Sequence, residues 1–94
     1  MKLNIDKQTL NILKKQFPEN KGIRLKVIGF GWAGPKFDMV QDEPKKNDII
    51  EKIDNIDFLV DKDDEFIFNN ASIKYVKSMF RSGFQITSAS KGIR

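Results

Sequence analysis

The residues that most directly suggest a chemical function are the glycines of the stretch GFGWAG, residues 29–34. Gly29, Gly31 and Gly34 form the pattern G-x-G-x-x-G, which in dinucleotide-binding proteins follows a strand and opens a helix whose amino end holds the pyrophosphate. Here Pro35 follows the third glycine directly, and the residues after it alternate between apolar and polar types, as in a strand. The pattern therefore predicts a hairpin whose glycines permit positive φ, rather than a nucleotide site.

Trp32, the only tryptophan, lies at the tip of this predicted hairpin. A tryptophan at such a tip either folds back over the core or stays exposed and contacts a partner. Phe30 and Phe37 lie close by in the sequence and supply apolar surface in either arrangement. We favour the buried arrangement and keep the exposed one open.

An acidic run, DKDDEF at residues 61–66, raises the question of calcium binding. An EF-hand loop that began at Asp61 would need glycine at its sixth position and a bidentate glutamate at its twelfth. Those positions hold Phe66 and Ser72. The run is therefore interpreted as a solvated acidic turn, and no metal site is predicted.

The last third of the chain is strongly basic, since residues 66–94 contain five Lys or Arg and no Asp or Glu. Lys74, Lys77 and Arg81 are the candidate contacts for an anion. Aromatic residues among basic ones are typical of proteins that bind single-stranded nucleic acid. Strand alternation, however, predicts that Tyr75 and Phe84 face the core.

Cysteine and histidine are both absent from the 94 residues. Their absence excludes disulfides, thiolate or imidazole catalysis and the usual ligands of soft metals. We therefore expect a protein that is not an enzyme and that binds no cofactor.

No apolar run approaches membrane-spanning length, and the first residues lack the apolar segment of a signal peptide. A cytoplasmic protein with no membrane contact is expected.

The sequence predicts one helix, over residues 7–17. Asp6 precedes it and can cap it, because its carboxylate can accept a hydrogen bond from a free amide of the first turn. Pro18 cannot continue the helix. The apolar residues spaced to share its inner face are Leu10, Leu13 and Phe17.

After this helix the apolar period changes to two, which is typical of half-buried strands. In the first of about six short strands, Arg24 and Lys26 alternate with the apolar residues and are expected on the solvent side. With no internal repeat or linker, residues 1–94 are expected to form a single domain. The residues predicted to face the core are Ile23, Leu25, Val27, Phe37, Met39, Ile56, Phe58, Val60, Ile73, Tyr75, Phe84 and Ile86.

In this order the motifs resemble those of the HesB-like, or IscA-like, family of A-type iron–sulfur cluster carriers over nearly all of the chain. The family has a basic strand, a glycine-bracketed hairpin, a D-E-P turn, a V-D strand ending and a closing G-F strand. The matching residues here are Arg24, Gly31 to Gly34, Asp42-Glu43-Pro44, Val60-Asp61 and Gly83-Phe84. The resemblance implies an α+β fold, mostly β, in which about six short strands form a mixed, sandwich-like core with an N-terminal helix.

The resemblance fails at the residues that hold the cluster. The family's first cysteine ligand lies between glycines, as G-C-x-G, and here that place reads Gly31-Trp32-Ala33-Gly34. The other two ligands form a C-x-C after the last strand, whereas this chain ends in TSASKGIR, about where such a tail would begin. We therefore expect every thiolate ligand to be missing, and no iron or cluster to bind in the family's way. The indole of Trp32 cannot replace the thiolate at the first ligand position, because its only polar atom is an N–H donor.

Two functions are compatible with these features. The first is a non-catalytic HesB-like domain that binds a protein partner, or regulates, in connection with iron–sulfur cluster biogenesis. Its candidate contact is the hairpin that has lost the ligand, formed by Phe30, Gly31, Trp32, Ala33 and Gly34. The alternative is a basic adaptor for nucleic acid or another polyanion, with Lys74, Lys77 and Arg81 as its contacts. No oligomeric state is predicted.

Overall fold

Strands make up most of the chain in the computed structural model, which describes residues 1–17, 21–32, 34–77 and 82–88. Within these ranges there are seven strands and two helices, and a 3₁₀ turn at Lys62–Asp64 precedes the second helix. In chain order the elements are β1 (Leu3–Ile5), α1 (Lys7–Gln16), β2 (Gly22–Gly31), β3 (Gly34–Asp42), β4 (Asp48–Ile53), β5 (Ile56–Asp61), α2 (Glu65–Phe68), β6 (Ala71–Lys77) and β7 (Ser82–Thr87).

The strands form two mixed sheets. In the three-stranded sheet, β6 lies between β1, which is parallel to it, and β7, which is antiparallel. The four-stranded sheet has the order β3-β2-β5-β4, and only its β2–β5 pair is parallel. The predicted α+β architecture, mostly β with mixed sheets and an N-terminal helix, is therefore confirmed.

β1 is a strand that the sequence analysis did not predict. It is three residues long and pairs with a distant part of the chain, with Leu3 opposite Ala71. Three residues are too few for an alternating pattern to be recognised. Leu3 is nevertheless buried, so this short strand contributes to the core.

The helix α1 is capped as predicted. The Thr9 amide donates a hydrogen bond to Asp6 Oδ1 at 2.7 Å, which satisfies one of the free amides of the first turn. The Thr9 hydroxyl oxygen accepts a hydrogen bond from the Tyr75 amide at 3.2 Å, which attaches the helix to β6. Leu10 and Leu13 are buried beneath it. In the described residues, no helix is long and apolar enough to cross a membrane.

The core lies between α1 and the inner faces of the two sheets. Its fully buried members include Leu13, Ile23, Leu25, Phe58, Val60, Phe68 and Ile73. Tyr75, Phe84 and Ile86 were predicted to face the core but are only half-buried. The rings of Tyr75 and Phe84 pack edge to face, with centroids 5.3 Å apart. The three-stranded sheet is therefore incompletely covered at β7.

Candidate functional site

The glycine-rich stretch forms the hairpin that joins β2 to β3. The two strands pair in antiparallel register out to Gly31, which lies opposite Gly34. The third glycine of the G-x-G-x-x-G pattern thus begins a strand and not a helix. A dinucleotide loop needs a helix amino end at that place, so the structure agrees with the hairpin interpretation.

A β-bulge interrupts β2 just before the hairpin tip. Val27 lies opposite Phe37, but the next paired residue is Gly29, opposite Lys36, which leaves Ile28 as the extra residue. One extra residue reverses the alternation of side chains between the two faces. Phe30 therefore lies on the same face of the hairpin as Val27, the face that continues the core side of the sheet.

The end of the hairpin carries exposed apolar side chains. Trp32 has a relative exposure of 106%, and Phe30 and Ile28 have 69% and 59%. The favoured interpretation, that Trp32 folds back over the core, is wrong. The indole instead projects from the hairpin tip into solvent. Exposed neighbouring apolar residues of this kind mark interaction sites in folded proteins.

Two glycines bracket the turn of the hairpin, and the backbone conformation favours glycine at Gly34. Gly34 has a φ of +114°, a conformation that residues with a Cβ rarely adopt. A Cβ on Gly31 would lie 3.1 Å from Lys36 Cε, so the lysine stem passes close over that glycine. Ala33 lies outside the described residues. The hairpin thus presents Trp32 between Gly31 and Gly34.

A second set of polar residues is formed around Arg24 on the outer face of the four-stranded sheet. Arg24 Nε donates to Asp42 Oδ2 at 2.7 Å. Its Nη1 and Nη2 donate to the two carboxylate oxygens of Asp48, at 2.8 and 2.6 Å, and Nη2 also donates to the Glu43 carbonyl oxygen at 3.3 Å. Because β5 lies between β2 and β4, the arginine side chain reaches across β5 and joins the end of β3 to the start of β4.

Arg24 was expected on the solvent side of β2 and is instead buried, with 7% of its surface exposed. Leu59 lies opposite Arg24 on β5 and is also completely buried. The predicted alternation assigned only Ile56, Phe58 and Val60 of that strand to the core. The sequence feature that could have indicated this contact is the pair of aspartates, Asp42 and Asp48, on either side of the turn that joins β3 to β4. Strand alternation alone does not show that one arginine reaches both.

These contacts keep the cluster ionised. Hydrogen bonds from Arg24 lower the pKa of Asp48, although burial of the carboxylate acts in the opposite direction. The pKa of Asp42 is lowered by Arg24 and then by the Glu43 amide, which donates to Oδ1 at 2.8 Å. Asp48 in turn raises the pKa of Arg24. Groups whose pKa values move away from neutrality are poor proton donors or acceptors at pH 7, so this cluster is a structural clamp.

The acidic run after β5 forms a local turn. Asp61 Oδ1 accepts a hydrogen bond from the Asp63 amide at 2.9 Å, which caps the 3₁₀ turn. Burial, together with the charges of Asp61 and Asp63, raises the pKa of Asp64. Across residues 1–17, 21–32, 34–77 and 82–88, no three Asp, Glu, Cys or His side chains are grouped so that they could hold a metal ion.

Of the three predicted anion contacts, the structure describes the side chain of Lys74 alone. Lys74 is exposed on β6. The pKa of Asp6 is lowered mainly by hydrogen bonds from Thr9 and also by the charge of Lys74, so this lysine has an acidic neighbour. The side chain of Lys77 and the whole of Arg81 lie outside the described residues.

The chain belongs to the iron–sulphur cluster biosynthesis family, whose sequence model matches residues 1–90. The resemblance to HesB-like and IscA-like proteins is therefore confirmed. No curated protein matches the sequence.

Solved structures of related fold agree with this assignment. IscA with a [2Fe-2S] cluster superposes with a TM-score of 0.71 at 13% identity, over 94% of this chain and 83% of that one. A protein from Aquifex aeolicus gives 0.68 at 22% identity, over 92% of this chain and 90% of that one. Escherichia coli SufA, involved in biosynthesis of iron–sulfur clusters, gives 0.66 at 20% identity, over 96% and 83%. At these identities the likeness establishes the fold alone.

Proposed function

We propose that this chain is a non-catalytic member of the family that binds a protein partner in connection with iron–sulfur cluster biogenesis. The observation that carries the proposal is Trp32, which is fully exposed at the place where the family's G-C-x-G pattern has its cysteine. Tryptophan is enriched among the few residues that dominate binding at protein interfaces. The cluster-holding position of the fold thus presents an apolar contact group.

The donor atoms of this chain do not fit an iron–sulfur cluster. Clusters are held by cysteine thiolates and, in some centres, by histidine, and residues 1–94 contain neither residue type. The remaining donors are oxygen atoms, which suit hard cations. We therefore assign no cluster step to these residues and propose that the function is recognition.

The proposal that the chain is not an enzyme also depends on the residue types present. Nucleophilic catalysis usually pairs a hydroxyl or thiol with a histidine base, and histidine and cysteine are both absent. Both carboxylate oxygens of Asp48 and Asp42 Oδ2 accept hydrogen bonds from Arg24, and Asp42 Oδ1 accepts one from the Glu43 amide. We propose that the protein acts in the cytoplasm, where the assembly of such clusters would supply its partner.

Affinity capture from the native cell extract tests this function. The tagged wild-type chain is compared with Trp32→Ala and with Ile50→Ala, which truncates an apolar residue that is 48% exposed on β4. The wild type and Ile50→Ala should recover the same partner, and Trp32→Ala should recover about ten-fold less or lower still. All three should unfold at similar temperatures, because Trp32 makes no core contact. Equal recovery by all three chains would contradict the hairpin as the contact.

The alternative, a basic adaptor for a polyanion, is favoured by one observation, namely the five basic and no acidic residues over 66–94. Binding to phosphate backbones weakens steeply with salt because counterions are released. Nuclease treatment of the extract and a salt titration of binding to single-stranded DNA test it. Binding that is insensitive to both would remove this alternative.

A further inference from the structure

The three glycines of the G-x-G-x-x-G pattern lie on one face of the β2–β3 hairpin. Residues directly opposite each other on paired antiparallel strands share a face. Gly29 lies opposite Lys36, and Gly31 lies opposite Gly34. Phe30, between the first two glycines in sequence, lies on the other face. Across these described pairs, one face of the hairpin therefore consists of bare backbone and the side chain of Lys36, and we call it the glycine face.

The structure of this chain requires glycine at only one of the three positions. Among the described residues, Gly34 is the only glycine with a positive φ, +114°, so the expectation that the glycines permit positive φ holds for Gly34 and not for the other two. A Cβ on Gly29 would meet no atom within 4 Å, and the atom nearest to a Cβ on Gly31 would be Cε of the flexible Lys36 stem, at 3.1 Å. Glycine weakens a strand and often marks a place where another backbone or a ligand approaches closely.

The glycine face carries one unpaired positive charge. Lys36 Nζ lies 3.9 Å from the position of a Cβ on Gly31, so the ammonium lies over the bare backbone. Among the described residues, no hydrogen bond or salt bridge joins Lys36 to another group, and an ammonium has three N–H donors to offer. Lys26 and Asp38, the next pair along this face, lie opposite each other and have opposite charges. The charge over the glycines therefore suits a single carboxylate.

We propose that the main chain of the partner protein lies directly on the backbone of Gly29 and Gly31, and that one of its carboxylates pairs with Lys36. This inference depends on the proposed function, in which Trp32 contacts a protein, and it adds the neighbouring surface to that contact. A nucleic acid strand fits less well, because its phosphates are neutralised by several cations and would meet the carboxylate of Asp38 on the same face.

Substitutions that fill the glycine face without harming the fold test the proposal. Gly29→Ala and Gly29→Val are compared with Gly83→Ala and Gly83→Val on β7, since neither glycine has a positive φ and a Cβ on either would meet no atom within 4 Å. All four variants should melt at or above the temperature of the wild type, because alanine and valine suit strands better than glycine.

Recovery of the partner by affinity capture from the native extract should separate the two positions. At position 29 it should fall about five-fold with alanine and about ten-fold or more with valine, because the added atoms hold the two backbones apart. At position 83 it should not change. Equal recovery by the wild type and all four variants, with Trp32→Ala still deficient, would overturn this inference and leave the proposed function standing. Recovery of no protein by the wild type would overturn both.

A zero-length carbodiimide crosslinker tests the carboxylate, because it joins an amine to a carboxylate only where the two touch. In the captured complex, mass spectrometry should find Lys36 joined to an Asp or Glu of the partner. Lys36→Gln should lower recovery about five-fold or more, whereas Lys52→Gln, at a lysine on β4 whose side chain is 67% exposed, should not. Crosslinks through other lysines only, a Lys36 crosslink to a second copy of this chain, or loss of the partner on nuclease treatment would each overturn the inference.

Discussion

At the residue scale, the side chain of Arg24 fixes the positions of strands that are not adjacent. Its guanidinium lies 2.7 Å from Asp42 at the end of β3 and 2.6 Å from Asp48 at the start of β4. The side chains of Arg24 and Asp48 are only 8% and 3% exposed. Loss of the Asp48 carboxylate would leave the buried guanidinium paired with Asp42 alone, so part of the compensation for its burial would be removed.

Asp48→Asn is therefore expected to lower the free energy of unfolding by about 1.5 to 3 kcal/mol, the range for hydrogen bonds to charged groups. Asp54→Asn is the matched control, because Asp54 pairs with Lys14 at 2.7 Å while both side chains remain exposed, 43% and 41%. That change should alter stability by less than about 1 kcal/mol. Urea unfolding of both variants measures the difference. Similar losses would show that the Arg24 cluster is not a buried clamp.

The same cluster predicts how stability depends on pH. The folded-state pKa values of Asp42 and Asp48 lie below the ordinary value, so the unfolded chain binds more protons in acid. Their contribution is present above about pH 4 and is lost as the pH falls through the lowered pKa values. Asp64, with its raised pKa, acts in the opposite direction.

Melting temperatures between pH 7 and pH 3 check this dependence. The wild type should lose stability in acid, and Asp48→Asn should lose less over the same interval because one of the two carboxylates is gone. Parallel curves for the two proteins would contradict the assignment of the acid sensitivity to this cluster.

At the element scale, the β2–β3 hairpin shows what alternation predicts and where it fails. The inward residues Ile23 and Leu25 were predicted correctly and are both buried. The bulge after Val27 reverses the alternation, and no residue pattern in this stretch announces it. The exposure of Trp32 could not be derived either, because it depends on how far the hairpin extends past the core.

Gly34 and Gly29 differ in backbone conformation, so replacing each of them tests whether the turn requires a positive φ. Gly34→Ala should destabilise the protein by about 1 to 3 kcal/mol, since alanine at a φ of +114° is strained. Gly29→Ala should be neutral or stabilising by up to about 1 kcal/mol, because a Cβ there would meet no atom within 4 Å. Thermal unfolding distinguishes them, and an equal loss in both would mean that the turn conformation is not the cause.

At the scale of the whole molecule, local residue patterns and the order of the motifs together predicted the fold class. The contacts between residues far apart in the sequence could not be predicted in this way. The capped helix and the alternating strands follow from residues near one another in sequence, such as Asp6 and Thr9. The parallel pairing of Leu3 with Ala71 and the contact of Arg24 with Asp48 join residues far apart. Such contacts leave no periodicity by which they could be recognised.

The central claim is that this chain keeps the family's fold without its cluster chemistry, and reconstitution tests it most directly. The purified chain is incubated without oxygen with ferrous iron and sulfide and then gel-filtered, and iron and sulfide per chain are measured beside a cysteine-containing relative treated identically. The account predicts that the relative retains a cluster while this chain retains only substoichiometric iron and shows no cluster absorption. A stoichiometric iron–sulfur cluster that stays with this chain through gel filtration would contradict it.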